Sequence, residues 1–234
     1  MNTIARKTGI LATRMPGRRA TLVTKPSPGA RTVFCSRSYP ALRTSARSRA
    51  TVHRNPSKDP VSRRVSLVCY VVGNYLTFAA DLINGLSEPT TIHWHGIRIA
   101  NAMDGVAYLT QEPVLPNETF PYRFTPPDAG TYWYHPHNRT WEQMARGLYG
   151  MFIVREVEPL PIDRDVPLIF DDWRLDSDGR IDERSFGALH DKAHAGRLGN
   201  VLSLNGKPSD DIHVLAGERV RLRLLNAANA RIMA

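Results

Sequence analysis

The chain has 234 residues, of which 42% are hydrophobic and 23% charged, and these values are typical of a globular protein with one or two domains. Its formal net charge is +9, but residues 1–58 hold 13 Lys and Arg and no acidic residue, so residues 59–234 carry a net charge of −4. Because the excess charge is confined to the amino-terminal stretch, we predict no nucleic-acid binding. Cys35 and Cys69 form no zinc-binding pattern, and the lack of a run of about 18 apolar residues argues against stable membrane insertion.

The amino-terminal stretch, residues 1–58, is rich in Arg, Ser, Thr, Ala and Pro and shows little periodicity. This composition predicts a basic, disordered leader. A targeting segment, which would share the Arg-rich and acid-poor composition, and a misassigned start are alternatives that the sequence leaves open.

From about residue 65 the pattern becomes that of short β-strands separated by turns, with one helical segment expected at 140–146. This pattern predicts an all-β protein, with a complete sandwich domain at residues 59–157 and the start of a second, incomplete domain at 158–234. In the last predicted strand, apolar residues alternate with arginines, so we expect its apolar side to face a core. Strands are predicted at residues 65–70, 75–83, 90–99, 119–125, 131–137, 147–154, 166–170, 201–205, 212–215 and 219–225.

Two histidine pairs stand out, His93-Trp94-His95 and His135-Pro136-His137. On an extended strand, residues i and i+2 point to the same face and lie roughly 7 Å apart. A single pair of this kind is more often structural than metal-binding. Two pairs, both predicted to lie on strands, favour metal binding instead, since together they could bring four imidazoles into one small volume. Imidazole suits copper, zinc, iron or nickel.

The sequence around these pairs resembles a known family. Residues 91–96 and 130–137 resemble the first two copper motifs of the multicopper oxidases, the laccase and cuprous-oxidase group. The similarity continues through residues 101–105, 146–150, 171–173 and 225–229, and it covers about residues 70–234. It implies a cupredoxin-like Greek-key β-sandwich, copper as the cofactor and a periplasmic or secreted location.

The resemblance also implies individual roles. His93 would bind the type 2 copper of a trinuclear cluster, His95 and His135 would share one type 3 copper, and His137 would bind the other. Asp104 would relay protons near the cluster, although an aspartate next to a glycine is also an ordinary turn residue. The implied activity is one-electron oxidation of phenols, aromatic amines or metal ions, coupled to reduction of dioxygen to water.

The sequence departs from the family pattern in one respect. Neither Cys35 nor Cys69 has flanking histidines, so the type 1 copper ligands are absent and only half of the implied cluster ligands are present. We therefore predict that this chain alone is inactive as an oxidase. The alternatives are a copper-binding or scaffold protein of cupredoxin fold without redox turnover and, less well supported, a zinc or nickel hydrolase.

The remaining histidines have simpler interpretations. His190 and His194 have the i, i+4 spacing that shares one helix face, and a packed or solvated pair is favoured over metal binding. His53 and His213 have no partner in the sequence and are interpreted as structural or exposed. The oligomeric state is left open.

Overall fold

The computed structural model describes the backbone of residues 20–24, 67–72, 77–208 and 211–233, and the side chains of residues 77–208 and 211–233. The predicted leader lies outside the described residues except for 20–24. Strands dominate these residues, which confirms the predicted all-β fold class. The strands are β1 (Ala20–Thr24), β2 (Leu67–Val72), β3 (Phe78–Asn84), β4 (His93–His95), β5 (Thr119–Phe124), β6 (Gly130–His135), β7 (Gly150–Arg155), β8 (Arg164–Trp173), β9 (Val201–Leu204) and β10 (Val220–Asn226).

The helical elements within the same residues are short. Helix α1 (Thr140–Gln143) lies inside the segment predicted to form helical turns, and α2 (Leu189–Ala193) follows β8. Two 3-10 turns cover Asn101–Met103 and Glu183–Ser185. None of the helices in the described part of the chain is long and apolar enough to cross a membrane.

Two sheets enclose the main core. The first has the strand order β1-β3-β5 and the second the order β2-β7-β6-β4. Strand β1 runs parallel to β3 and β2 runs parallel to β7, whereas the other neighbours in these two sheets are antiparallel. The apolar faces of the two sheets supply one continuous cluster, whose larger members are Phe78, Leu82, Ile92, Trp94, Tyr122, Phe124, Tyr134, Phe152 and Val154.

Trp94 lies near the centre of this core and is only 1% exposed. Its ring meets Phe78 edge to face at 5.0 Å between centroids and Tyr122 at 5.4 Å. Because side chains alternate along a strand, burying Trp94 turns the flanking His93 and His95 to the opposite face. The core tryptophan therefore determines the face on which the first histidine pair lies.

A third sheet, with the order β10-β8-β9, packs against the outer side of β7. Strand β8 runs parallel to β10 and antiparallel to β9. A second apolar cluster joins this sheet to the sheet that contains β7, and it consists of Tyr149, Met151, Ile153, Ile169, Leu225 and Ala227, with Trp133 packed against it.

Strand β10 does not place its side chains as the alternation predicts. Leu222 and Leu224 are 48% and 62% exposed, whereas Arg223 is 4% exposed. The arginine is buried because Asp165 on the neighbouring β8 accepts two hydrogen bonds from it, at 2.7 and 2.8 Å, and Thr131 on β6 accepts a third at 2.6 Å. The prediction that the apolar side faces a core was wrong, since an ion pair with the adjacent strand β8, which is distant in sequence, decided the orientation.

One predicted strand is not formed. Residues 212–215 have no strand partner in the structure and run as irregular backbone, with Val214 and Leu215 60% and 78% exposed. A short apolar run predicts a strand only where a sheet edge pairs with it, and no such pairing is made here.

The ion pair between Arg223 of β10 and Asp165 of β8 gives a testable stability effect. Burial alone would raise the pKa of Asp165, but hydrogen bonds from Arg223 and Arg221 outweigh it and lower the pKa to about 2. The pair therefore stabilises the fold fully above the unfolded pKa of about 4, and this contribution is lost as the pH falls from about 4 to about 2. Because Asp165→Asn leaves the buried Arg223 charge uncompensated, we expect the free energy of unfolding at pH 7 to fall by about 3 kcal/mol in urea denaturation.

A matched control for this substitution is Asp178→Asn, since Asp178 pairs with Arg180 on the surface, where both side chains are more than half exposed. We expect this control to change the free energy of unfolding by less than about 0.5 kcal/mol. Equal effects of the two substitutions would contradict a structural role for the buried pair.

Candidate metal centre

The two histidine pairs come together because their strands are neighbours. Strand β4 pairs with β6 in antiparallel register, with His93 opposite His135, Trp94 opposite Tyr134 and His95 opposite Trp133. Trp94 and Tyr134 are buried in the core, so the imidazoles lie on the other face of the sheet. The pairing of two strands thus creates the histidine cluster that the sequence pattern predicts.

His137 joins the cluster from outside the sheet. Strand β6 ends at His135, so the prediction that the second pair lies entirely on a strand was wrong. Pro136 follows, and proline has no N–H with which to continue a β-ladder. The His137 backbone N–H instead donates to Thr91 Oγ1 at 3.2 Å, and the exposed His137 ring lies 5.3 Å from the His93 ring.

The other three imidazoles surround His93. Its ring centroid lies 5.5 Å from that of His95, 5.4 Å from that of His135 and 5.3 Å from that of His137. One nitrogen from each of His93, His95 and His135 lies within 4.8 Å of the other two. The cluster is therefore compact enough for neighbouring rings to share a metal ion.

Backbone carbonyl groups orient two of these rings. Nδ1 of His93 lies 2.8 Å from the carbonyl oxygen of Asp104, and Nδ1 of His135 lies 2.9 Å from that of Pro136. Since a carbonyl oxygen can only accept, each Nδ1 carries the proton and each Nε2 keeps a free lone pair. Metal-binding histidines in proteins are commonly oriented in this way.

The closest pair of nitrogens provides the test of whether a metal fits. His95 Nδ1 and His135 Nε2 are 3.3 Å apart. Two ligand nitrogens at about 2.0–2.1 Å from one ion, separated by a tetrahedral angle, are also about 3.3 Å apart. The observed spacing therefore fits two ligands of a single ion.

The electrostatics of the cluster favour neutral rings. Burial is the largest cause that lowers the pKa of His135, the Pro136 carbonyl opposes it and the neighbouring histidines add to it, and the net result is a pKa of about 4. Burial also lowers the pKa of His95, with His93 and His137 contributing. Neutral imidazole is the form that binds a metal, so these rings are ready to do so at neutral pH.

A glycine and a loop carbonyl hold His93 in place. Gly105 has φ = +78°, and a Cβ atom on it would lie 1.8 Å from the backbone oxygen of Ile92, next to the histidine strand. This close approach brings Asp104 to His93, and the Asp104 carboxylate oxygen Oδ1 lies 3.4 Å from His93 Nδ1. The structure thus places the predicted Asp104 beside the cluster, with its side chain 27% exposed.

Three further residues support the cluster. Tyr122 Oη accepts a hydrogen bond from the Ile92 backbone N–H at 3.0 Å. Gln143 of α1 is fully buried and is hydrogen-bonded to Thr90 at 2.6 Å. The Trp133 ring lies 4.3 Å from the His135 ring. Sequence reasoning missed these roles, because nothing in the local pattern distinguishes these residues from ordinary core side chains.

The other histidines take no part in this cluster. His190 and His194 are exposed residues of the α2 segment, and His213 is exposed on irregular backbone, not in the strand predicted for it. His53 lies outside the described residues.

The regular elements of the described residues are mostly β-strands, and they gather four imidazoles into one cluster whose geometry suits a metal site. Residues 75–159 match the family model described as multicopper oxidase. These findings place residues 75–159 in the multicopper oxidase family.

Individual relatives agree with this assignment. The chain is 41% identical over 99 residues to copper resistance protein A of Escherichia coli, and the matched region covers 42% of this chain and 16% of the relative. It is 33% identical over 178 residues to laccase-3 of Arabidopsis thaliana, covering 67% of this chain and 30% of the relative. A solved multicopper oxidase from Pseudomonas thermotolerans superposes with a TM-score of 0.66 at 38% identity, covering 70% of this chain and 40% of that one. The chain therefore spans less than a third of the length of these two curated relatives.

Proposed function

We propose that the histidine cluster supplies part of the trinuclear copper site of a multicopper oxidase. His93 binds the type 2 copper, His95 and His135 share one type 3 copper, and His137 binds the other. The observation that carries this assignment is the distance of 3.3 Å between His95 Nδ1 and His135 Nε2, which suits two ligands of one ion. Imidazole ligands suit copper, which ranks highest among the divalent first-row metals in affinity for nitrogen sites.

The residues of the chain have separate tasks around such a site. Copper held there would pass electrons, delivered from the oxidised substrate, to dioxygen and so reduce it to water. The Asp104 and Pro136 carbonyls keep Nε2 of His93 and His135 unprotonated for metal binding. The Asp104 carboxylate is partly open to solvent beside His93, so it is placed to take a proton from water at Oδ1 and pass it toward the site.

The reducing substrate is proposed from the relatives. Laccase, copper resistance protein and iron transport multicopper oxidase are among their names, which supports phenols, aromatic amines or metal ions as reductants. A periplasmic or secreted location is proposed on the same basis. Dioxygen is the electron acceptor in this scheme.

We expect this chain by itself to bind copper but to show no oxidase turnover. Neither of its two cysteines is flanked by histidines, so the sequence offers no thiolate site at which electrons could enter. Metal analysis after loading with copper, combined with oxygen uptake in the presence of a phenol, measures both properties. Copper binding without oxygen uptake is the expected result, and stoichiometric copper with turnover would contradict the proposal.

A copper-binding scaffold without redox turnover is the second candidate, and copper binding by this chain alone does not separate it from the oxidase. The coding sequence that follows residue 234 does separate them. A His-Cys-His stretch there would supply the thiolate of an electron-entry site and would support the oxidase.

A further inference from the structure

Trp133 contacts two of the proposed copper ligands at once. It stands opposite His95 in the pairing of β4 with β6, and it precedes His135 by two residues on the same face of β6. Its ring centroid lies 5.0 Å from that of His95 and 4.3 Å from that of His135, with interplanar angles of 36° and 34°. The His93 ring, by contrast, meets the same two rings edge to face, at 74° and 72°. The indole ring is therefore in offset and more nearly parallel contact with both ligands.

His95 depends on this contact more than its neighbours in the cluster do. The Nδ1 atoms of His93 and His135 are held by backbone carbonyl groups. His95 is exposed, and within the described part of the chain the only hydrogen-bonding contact of its ring is with His135 Nε2, at 3.3 Å. These two nitrogens are the ones proposed to share an ion, so they do not bond to each other once the ion is bound. The described ring closest to His95 is that of Trp133, and this contact limits the rotation of the His95 ring.

Trp133 is itself held by the neighbouring sheet. Its side chain packs against the second apolar cluster, which includes Ile169 of β8 and Leu225 of β10. Because a close-packed apolar contact restricts the rotamer of a large ring, the indole is fixed before any ligand binds. Trp133 thus connects the sheet β10-β8-β9 to the proposed copper ligands.

We propose that Trp133 is a positioning residue of the copper site, which holds the His95 and His135 rings at the spacing that suits one shared ion. This role rests on the function proposed for the histidine cluster. The indole does not bind the ion, because its nitrogen is only a hydrogen-bond donor. It acts by restricting the His95 ring in the free chain, so that less conformational freedom is lost when an ion binds.

The copper affinity of four forms of the chain tests this proposal. The forms are the parent, Trp133→Leu, Trp133→Phe and Ile169→Ala. We expect Trp133→Leu to lower the copper affinity by about 10-fold, because it removes the aromatic contact with both ligands. Trp133→Phe keeps an aromatic ring at this position, so its affinity should stay within about 3-fold of the parent value.

Ile169→Ala is the control for a general weakening of the core. Ile169 belongs to the same apolar cluster but lies on β8, which carries none of the four histidines. We therefore expect this variant to lower the urea midpoint while its copper affinity remains that of the parent. Parent-like affinity in Trp133→Leu would overturn the positioning role, and so would an equal loss of affinity in Ile169→Ala.

Failure of the proposed function gives a different result. In that case the parent chain itself would show no copper binding that His135→Gln removes, and the positioning role would be refuted together with the copper site. If the parent binds copper through His135 but Trp133→Leu binds it equally well, only the positioning role is refuted.

Proton NMR of the copper-free chain gives a readout that does not depend on the metal. The ring current of Trp133 shifts the ring-proton resonances of His95 and His135, so we expect both sets to move in Trp133→Leu. The resonances of His190, which belongs to α2, should keep their parent positions. Unchanged His95 and His135 resonances would show that these rings do not rest on the indole and would contradict the proposal.

Discussion

Replacing Gly105 with alanine is expected to lower the free energy of unfolding by more than about 3 kcal/mol. Gly105 has φ = +78°, where an L-residue is strained by roughly 1–2 kcal/mol. The added Cβ would also lie 1.8 Å from the backbone oxygen of Ile92 and 2.5 Å from its carbonyl carbon. Because these neighbours are backbone atoms of the segment that leads into β4, they can yield only if the histidine strand moves.

A control for Gly105→Ala is Gly217→Ala. Gly217 has nearly the same backbone angle, φ = +84°, but a Cβ there would have no neighbour within 4 Å. The Gly217→Ala variant should therefore show only the effect of backbone strain, a fall of about 1 kcal/mol in the free energy of unfolding. Urea denaturation of the two variants measures both values, and equal destabilisation would show that the contact with Ile92 is unimportant.

The substitution should also affect the copper site. Gly105 holds the Asp104 carbonyl at 2.8 Å from His93 Nδ1. Displacing this carbonyl removes the acceptor that fixes the His93 proton. Loss of such a partner typically costs about 10–100-fold in metal affinity, so we expect the copper affinity to fall by at least about 10-fold. Copper titration of the folded fraction of Gly105→Ala checks this expectation.

The fold class and the four clustered histidines could be predicted from the sequence because both depend on local patterns. Alternation along a strand places Trp94 on one face and its two histidine neighbours on the other. Residues 126–129 lie between β5 and β6, where two prolines followed by Gly130 predict a break. These features need no knowledge of distant parts of the chain.

The features that were missed depend on partners far away in sequence. Arg223 is buried because it donates hydrogen bonds to Asp165 and Thr131, although its own strand predicts the reverse orientation. The proton on His93 is fixed by a backbone carbonyl, which no residue type reveals. Gln143 is hydrogen-bonded to Thr90 across 53 residues, and no spacing rule predicts such a contact.

Substitution of His135 by glutamine is expected to lower the copper affinity of the cluster by more than about 100-fold. This loss is larger than the roughly 10–100-fold loss seen when only a hydrogen-bonding partner of a metal ligand is removed. His135 is 7% exposed, and its ring lies 5.4 Å from His93 and 5.5 Å from His95. Its Nε2 is the nitrogen closest to His95 Nδ1, so its removal leaves the proposed shared ion with one ligand of the pair. Equilibrium dialysis against Cu²⁺ with a competing chelator measures the change.

A loss of affinity in His135→Gln has to be separated from a loss of folding, because the side chain is buried. His137→Gln serves this purpose, since His137 is exposed and its ring is also part of the cluster. We expect His137→Gln to lower copper affinity while the circular dichroism spectrum and the urea midpoint remain those of the parent. Parent-like copper affinity in both variants would exclude the cluster as the copper site, since two of its four imidazoles would then be dispensable.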